Sequence, residues 1–210
     1  MDYDDILNSC GGRISTADAK ILYATALEIN AQNIVEIGSF DGCSSMVFGY
    51  VCQQTGGHLY CIEPNPKTLW KKNMERLGLA DYATVIMKAS PWIDVTTVPF
   101  RKPANPAHPI DYLLIDGDHR VRWTIVDYHF WEPYVRPGGL IAFHDWTGAK
   151  GVGAWVQEAV EIIRRDDIEL EQVACNASTD RGIIVFKKPE KLVDSKGKEV
   201  ASFSRREKMS

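Results

Sequence analysis

Two apolar segments of the sequence, YLLIDGDHRV (112–121) and GLIAFHDW (139–146), end in charged, titratable side chains. The residues concerned are Asp116, Asp118, His119, His144 and Asp145. Carboxylates supply the oxygen ligands that Mg²⁺ prefers, and histidine both tolerates such ions and titrates near neutral pH. These residue types are therefore suited to acid–base catalysis and to holding a divalent cation, provided that the fold brings the two segments together.

Apolar segments alternate with helical patterns along most of the chain, which predicts an α/β fold with a parallel sheet flanked by helices. The predicted strands in chain order are NIVEIG, HLYCIE, ATVIMK, DYLLID and GLIAFHD, and ELEQVAC and GIIVFKK are predicted to form an antiparallel edge hairpin. In open parallel sheets, ligands bind outside the carboxyl ends of the strands. The polar residues that follow these strands are therefore expected to share one rim.

Four further segments predict local features. A helix is expected to begin at Ser15 or Thr16, and a later helix is expected to stop at RPGG (136–139). Trp92 is expected in the core in preference to stacking on a ligand. The segment PFRKPANPAHP (99–109) carries four prolines and predicts a surface loop, which is either a spacer or part of a substrate wall.

The segment EIGSFDGCSS (36–45) is typical of a strand-to-helix turn that approaches a ligand. Gly38 and Gly42 are spaced G-x-x-x-G, which differs from the G-x-G-x-x-G expected beneath a dinucleotide pyrophosphate. The carboxylate of Glu36 would repel a pyrophosphate and suits a ligand with a positive charge. Glu63, at the end of the second strand, lies at about the offset where an acidic side chain binds ribose hydroxyls. Together these residues favour a nucleoside ligand.

Glu36-Ile37-Gly38, Glu63 and the two late strands resemble class I S-adenosylmethionine-dependent methyltransferases, over residues 34–186. More narrowly, LLIDGDHRVRWTIVDYHFWEPYVRPGGLIAFHDW (113–146) is similar to a branch of small-molecule O-methyltransferases. That branch includes enzymes of antibiotic and saccharide pathways and is related to the catechol and caffeoyl-CoA types. The resemblance implies a Rossmann-like, doubly wound, mostly parallel sheet of seven strands, with an antiparallel last strand and helices on both faces.

The resemblance also implies roles for individual residues. The residues implied to bind S-adenosylmethionine are Glu36, Gly38, Ser39, Ser45, Glu63, Ser90, Asp116 and Asp118. A divalent cation such as Mg²⁺ would be held by Asp116, His144 and Asp145. In the caffeoyl-CoA type a catalytic lysine stands in place of His119, and an Asp-Asn pair in place of His144 and Asp145. Because of these departures, the general base is either His119 or His144.

Composition and charge limit the partners expected for the chain. Its 210 residues predict one folded domain, 1–188, followed by a charged tail, 189–210. A formal net charge of -4 without a basic stripe gives no support for nucleic-acid binding, and no segment reaches the length of a membrane span. The acidic start MDYDDILNSC and five scattered cysteines predict a cytoplasmic protein with reduced thiols and no zinc site.

The expected function is the transfer of a methyl group from S-adenosylmethionine to a hydroxyl of a small molecule, with help from a divalent cation. A homo-oligomer would complete the acceptor pocket. Three alternatives stand beside it: a metal-independent methyltransferase with a histidine base, a nicotinamide-dependent oxidoreductase and a non-catalytic binding module. The missing G-x-G-x-x-G argues against the oxidoreductase. The carboxylates Glu36, Asp116 and Asp145 argue against the binding module.

Overall fold

The computed structural model describes residues 5–6, 14–101, 103, 105–148, 151–167, 169–178 and 181–190. Cys10 and all but the first two residues of the predicted tail lie outside these ranges. The main helices are α1 (Thr16–Glu28), α2 (Cys43–Thr55), α3 (Thr68–Arg76), α4 (Val121–Trp131) and α5 (Val152–Asp166). The strands are β1 (Asn33–Ile37), β2 (His58–Ile62), β3 (Ala83–Ile86), β4 (Ile110–Ile115), β5 (Val135–His144), β6 (Glu171–Asn176) and β7 (Ile183–Lys187). Among the described residues, no helix combines the length and apolar character needed to cross a membrane.

These strands form one seven-stranded sheet in the order β3-β2-β1-β4-β5-β7-β6. Strands β1 to β5 pair in parallel, whereas β7 pairs antiparallel with both β5 and β6. The predicted fold class and the edge hairpin are therefore confirmed. The strand order reverses between β1 and β4, and such a switch point opens a crevice at the carboxyl ends of the strands.

Alternate residues of the strands contribute to two separate hydrophobic cores. In β4, Tyr112 and Leu114 pack in the core that contains residues of α1, α2 and α3. Their neighbours Leu113 and Ile115 pack in the core that contains residues of α4 and α5. This alternation follows from the two-residue period of a strand. Because both faces of the sheet are covered, the central strands are apolar almost throughout.

The start of α1 agrees with its prediction. Ser15 is the N-cap residue, and its Oγ accepts a hydrogen bond from the backbone N–H of Asp18 at 3.0 Å. Thr16 is the first helical residue. An N-cap of this kind satisfies one of the backbone N–H groups that the first turn of a helix leaves without an intrahelical partner.

The expectation that RPGG (136–139) stops a helix is wrong. Helix α4 already ends at Trp131, and a short 3₁₀ helix, Glu132–Tyr134, leads into β5, which contains residues 136–139. The backbone N–H of Gly138 donates to the carbonyls of Lys188 and Pro189 at 3.0 and 3.3 Å. The segment is therefore extended because it pairs with the chain that follows β7.

The proline-rich loop 99–109 lies at the amino ends of the strands. Asn33 Nδ2 donates to the carbonyl of Arg101 at 2.9 Å, and the Arg101 N–H donates to Asn33 Oδ1 at 2.8 Å. Asn33 is the first residue of β1, so this anchor is at the opposite edge of the sheet from the crevice. None of the described residues of this loop lines the cavity at the carboxyl ends of the strands, which favours a spacer over a substrate wall.

Gly38 lies where β1 and β4 approach most closely. The Asp116 N–H donates to the carbonyl of Ile37 at 2.9 Å, which continues the pairing of the two strands beyond their ends. Gly38 has a φ of +85°, and a Cβ at this position would lie 2.2 Å from the carbonyl oxygen of Asp116. Only glycine fits, both because of the positive φ and because of the facing backbone.

We expect Gly38→Ala to destabilise the protein much more than Gly56→Ala. Gly56 also has a positive φ, +74°, but a Cβ added there would have no atom within 4 Å. The control variant therefore bears only the conformational cost, about 1–2 kcal/mol, whereas Gly38→Ala adds a clash with backbone. Denaturant unfolding of both variants measures the difference. Equal losses of unfolding free energy would contradict the importance of this contact.

Candidate active site

A cavity of about 620 Å³ opens at the carboxyl ends of the central strands. Most of the residues predicted for the site line it: Gly38, Ser39, Glu63, Ser90, Asp116, Asp118, His119, His144 and Asp145. The predicted rim of polar residues therefore exists. Glu36 and Ser45 are the two predicted ligand residues that are not part of the cavity wall.

Glu36 lies beneath the cavity and is completely buried. Its carboxylate accepts hydrogen bonds from the hydroxyls of Ser44 and Ser45, and from Cys61 Sγ at 3.2 Å. Trp70 Nε1 donates to Ser45 Oγ at 2.9 Å, which fixes the serine from the other side. Glu36 and Ser45 thus connect β1 to the first turn of α2 and to α3, and these contacts shape the floor of the site.

Burial dominates the ionisation of Glu36. Desolvation raises the pKa of this carboxyl to about 7, although the hydrogen bonds from Ser44 and Ser45 favour the charged form. Near neutral pH the group therefore carries a proton about half of the time. This proton supplies a donor within a network that otherwise contains a buried carboxylate without a cation.

The turn after β1 contains a buried hydroxyl at the edge of the cavity. The Ser39 side chain is only 3% exposed, and its Oγ has no hydrogen-bond partner among the described residues. A buried polar atom usually has a hydrogen-bond partner in the functional state, so this hydroxyl is suited to bond with a polar group of a ligand. The next residue, Phe40, has a φ of +42° and is 46% exposed at the cavity wall. No motif in the sequence marks Phe40, because the strain appears only in the backbone.

Glu63 follows β2 and is held by two backbone groups. Its carboxylate accepts from the N–H of Phe40 at 3.3 Å and from the N–H of Asn65 at 2.9 Å. These contacts tie the turn after β1 to the turn after β2. They orient the carboxylate at the cavity wall, where a hydroxylated ligand can reach it.

Ser90 is fixed by two side chains of α4. Its Oγ donates to Asp127 Oδ1 at 2.7 Å and accepts from Trp131 Nε1 at 2.8 Å. Asp127 also lines the cavity, and burial raises its pKa to about 6 against the opposing hydrogen bond from Ser90. The buried acid was not identified from the sequence. The only available signal is its position on the buried face of α4, four residues before Trp131.

The expectation of a buried Trp92 is wrong. Its side chain is 76% exposed and forms part of the cavity wall. The residue lies in the connection between β3 and the short 3₁₀ helix Val95–Thr97. Together with Phe40, it gives the cavity an exposed apolar surface. Contact with a ligand would remove this surface from water.

The charged ends of β4 and β5 converge, as predicted. Asp116 Oδ1 lies 3.2 Å from His119 Nε2 and 3.2 Å from His144 Nδ1. His119 Nε2 also lies 3.1 Å from Asp145 Oδ2. Asp145 has a φ of +55°, a conformation that aspartate tolerates better than most residues. Asp116 therefore contacts both imidazoles closely, and Asp145 contacts His119 closely and lies 3.8 Å from His144 Nδ1.

The pKa values of Asp116, His119 and His144 are strongly shifted. Burial alone would raise the pKa of Asp116, but the charge of His144 and the contact with His119 outweigh it and lower the pKa to about 2. Desolvation lowers the pKa of each histidine, and the facing carboxylates more than reverse this effect. The pKa of His119 rises to about 10 through Asp116 and Asp145. The pKa of His144 rises to about 9, chiefly through Asp116. The cluster is therefore a set of ion pairs near neutral pH.

The donor set fits a divalent cation. One ligand atom from each of Asp116, His144 and Asp145 lies within 4.8 Å of the other two. Two carboxylates and one imidazole are a chemically suitable set for Mg²⁺ or Mn²⁺. Asp118 is not part of this group, since its carboxylate pairs with Arg120 at the exposed side of the cavity.

Comparison with known proteins agrees with the fold. A sequence family described as a methyltransferase domain matches residues 35–146. Among solved structures, one neighbour is the O-methyltransferase TomG from Streptomyces achromogenes, involved in tomaymycin synthesis and in complex with S-adenosylmethionine. It gives a TM-score of 0.65 at 16% identity, over 89% of this chain and 91% of TomG. The O-methyltransferase from Bacillus cereus, in complex with S-adenosylhomocysteine, gives 0.63 at 19% identity over 88% and 90%. Cofactor-bound Rv0187 from MTB gives 0.65 at 18% identity over 89% and 87%.

The family match covers more than half of the chain, so the protein belongs to the methyltransferase domain family. Its sheet order is that expected of a class I S-adenosylmethionine-dependent methyltransferase, and the predicted class is confirmed. The family decides against the alternative of a nicotinamide-dependent oxidoreductase.

The raised pKa of Glu36 makes a prediction about stability. The folded protein binds this proton with a pKa of about 7, against 4.5 for an ordinary glutamate. The stabilisation that the proton provides is therefore complete below about pH 4.5 and is lost as the pH rises through about 7. We expect Glu36→Gln to remove this loss, which amounts to roughly 3 kcal/mol. Unfolding free energies in urea between pH 4.5 and pH 8 measure it.

The exposed Glu75 on α3 provides the control for this experiment. Glu75→Gln should keep the pH profile of the wild type. Parallel profiles for the wild type and Glu36→Gln would show that Glu36 does not take up the proton on folding.

Proposed function

We propose that the protein transfers the methyl group of S-adenosylmethionine to a hydroxyl group of a small molecule, with assistance from a divalent cation. The observation that carries this proposal is the cluster of Asp116, His119, His144 and Asp145 at the wall of the cavity. The O-methyltransferases among the structural neighbours support the choice of a hydroxyl as the acceptor.

The turn residues support a site for S-adenosylmethionine. Ser39 has a hydroxyl without a partner among the described residues, and Glu63 holds a carboxylate at the cavity wall that could bind the ribose hydroxyls. Ser90 and Asp127 provide polar atoms on the far side of the cavity, where the adenine would lie. Glu36 is proposed to act only from beneath, through Ser44 and Ser45.

A small acceptor suits the cavity better than a macromolecule. Its volume of about 620 Å³ is within the roughly 300–1,000 Å³ that small-molecule sites occupy. The net charge of -4 gives no support for nucleic acid as the acceptor.

The cysteines in the described part of the chain, Cys43, Cys52, Cys61 and Cys175, form no disulfide with one another, which supports the proposal of a cytoplasmic location.

His119 is the better placed of the two histidines to act as the general base. Its side chain is 29% exposed at the cavity, whereas that of His144 is 4% exposed. A hydroxyl becomes a good nucleophile only when its proton is removed, and an imidazole within hydrogen-bond reach can accept it. A divalent cation held by Asp116, His144 and Asp145 would lower the pKa of the acceptor hydroxyl and orient it.

The ion pairs of His119 decide when it can act. While Asp116 and Asp145 both contact its Nε2, the high pKa keeps the imidazole protonated and unable to accept a proton. Once the two carboxylates are engaged elsewhere, they no longer raise the pKa of His119, and burial lowers it. His144 remains buried, and its proposed role is to hold the cation in position.

We expect His119→Ala to bind S-adenosylhomocysteine as the wild type does but to lose turnover by about 100-fold or more, because a general base contributes on that order. Calorimetry measures binding, and release of S-adenosylhomocysteine measures turnover with an acceptor drawn from a panel of hydroxylated sugars and phenols. His129→Ala, on the exposed face of α4, is the matched control and should keep full activity. Equal turnover in His119→Ala would remove His119 from the chemistry.

We expect Asp145→Asn to abolish stimulation by Mg²⁺ while the fold is kept, since asparagine also tolerates the positive φ at this position. The measurement is turnover against Mg²⁺ concentration for both proteins. The wild type treated with a chelator is the reference. Wild-type activity that a chelator leaves unchanged would replace this mechanism by the metal-independent one with a histidine base.

A further inference from the structure

Asp18 is a buried carboxylate next to the active site that no sequence motif marks. It lies in the first turn of α1, its side chain is 0% exposed, and it is not part of the cavity wall. Ser15 Oγ donates to its Oδ2 at 2.6 Å, and Asn176 Nδ2 donates to its Oδ1 at 2.8 Å. Donors from the cap of α1 and from the end of β6 thus fix both oxygens of the carboxylate.

The imidazole of His144 lies between this carboxylate and the cavity. Its Nε2 is 3.9 Å from Asp18 Oδ2, and its Nδ1 is 3.2 Å from Asp116 Oδ1 on the other side. His144 Nε2 is buried and has no hydrogen-bond partner among the described residues. Asp18 Oδ2 is an acceptor close to this atom, and a contraction of about 1 Å would bring it into hydrogen-bond range.

We propose that Asp18 is a positioning residue that keeps a proton on His144 Nε2 and so presents the unprotonated Nδ1 to the cation site. Histidines that bind metals commonly donate their second ring N–H to a carboxylate, which selects the tautomer and the ring orientation. The inference rests on the proposed function, because it requires a cation at Asp116, His144 and Asp145. It adds a residue from α1 to a site otherwise built from the ends of β4 and β5.

Asp18→Asn would reverse which ring nitrogen of His144 carries the proton. Oδ1 of the new amide would remain opposite the donor Asn176 Nδ2, which leaves the amide nitrogen at the position of Oδ2. A donor would then face His144 Nε2, so the ring would keep its proton on Nδ1, towards Asp116. In that tautomer Nδ1 has no free lone pair with which to bind a cation.

The first test is the affinity of the full-length protein for Mn²⁺, measured by electron paramagnetic resonance for the wild type, Asp18→Asn and a control. The control is Asp111→Asn, since the Asp111 carboxylate accepts from Gln32 and Asn33 at the amino edge of the sheet. We expect Asp18→Asn to weaken Mn²⁺ binding by about 10–100-fold, and Asp111→Asn to leave it unchanged.

The second test needs no substitution in Asp18. Nitrogen-15 histidine spectra of the wild type, saturated with Mg²⁺, report which ring nitrogen of His144 carries the proton, with His144→Gln used to assign the signal. We expect a proton on Nε2. A proton on Nδ1, or unchanged Mn²⁺ affinity in Asp18→Asn, would overturn the inference while leaving the cation site in place. Failure of the wild type to bind Mn²⁺ would overturn both.

Discussion

The site depends on the close approach of backbone between β1 and β4. Gly38 faces the carbonyl of Asp116 at a distance that leaves no room for a side chain, and the Asp116 N–H continues the pairing with Ile37. This contact fixes the end of β4 against the turn that forms the other half of the cavity. A carboxylate placed by paired backbone moves little, so the groups that contact Asp116 inherit a defined position. The position of the two histidines therefore follows from main-chain geometry at the switch point of the sheet.

Charge compensation is the second constraint. Buried carboxylates and imidazoles are tolerated only when each has a partner, and Asp116, His119, His144 and Asp145 supply one another with partners. Such a network holds its members without a ligand and yet offers several of the same atoms to a cation. The residues Asp116, His144 and Asp145 thus take part in the ion pairs and also have the spacing that a cation would require.

Most of the fold and the centre of the site could be predicted from the sequence, because strands that are buried on both faces are apolar and their polar ends mark one rim. Asp116, His119, His144 and Asp145 were found by this argument. The argument failed for Glu36, although the two-residue period contains the answer: Glu36 shares a face with Ile34, which packs in the core beneath α2. Asp18 and Asp127 could not be found, since they lie on helices whose packing against the rim is set by tertiary contacts. Trp92 is exposed in the connection after β3, although its residue type, a large aromatic, favours burial.

The proline-rich loop between β3 and β4 has a practical consequence for handling the enzyme. Asn33 anchors Arg101 at the amino edge of the sheet, and the cavity opens at the carboxyl edge. A reporter domain, an affinity peptide or a surface linker inserted in this loop would leave the entrance of the cavity facing away from the attachment. The protein can therefore be immobilised through one end of its sheet while acceptors enter freely at the other.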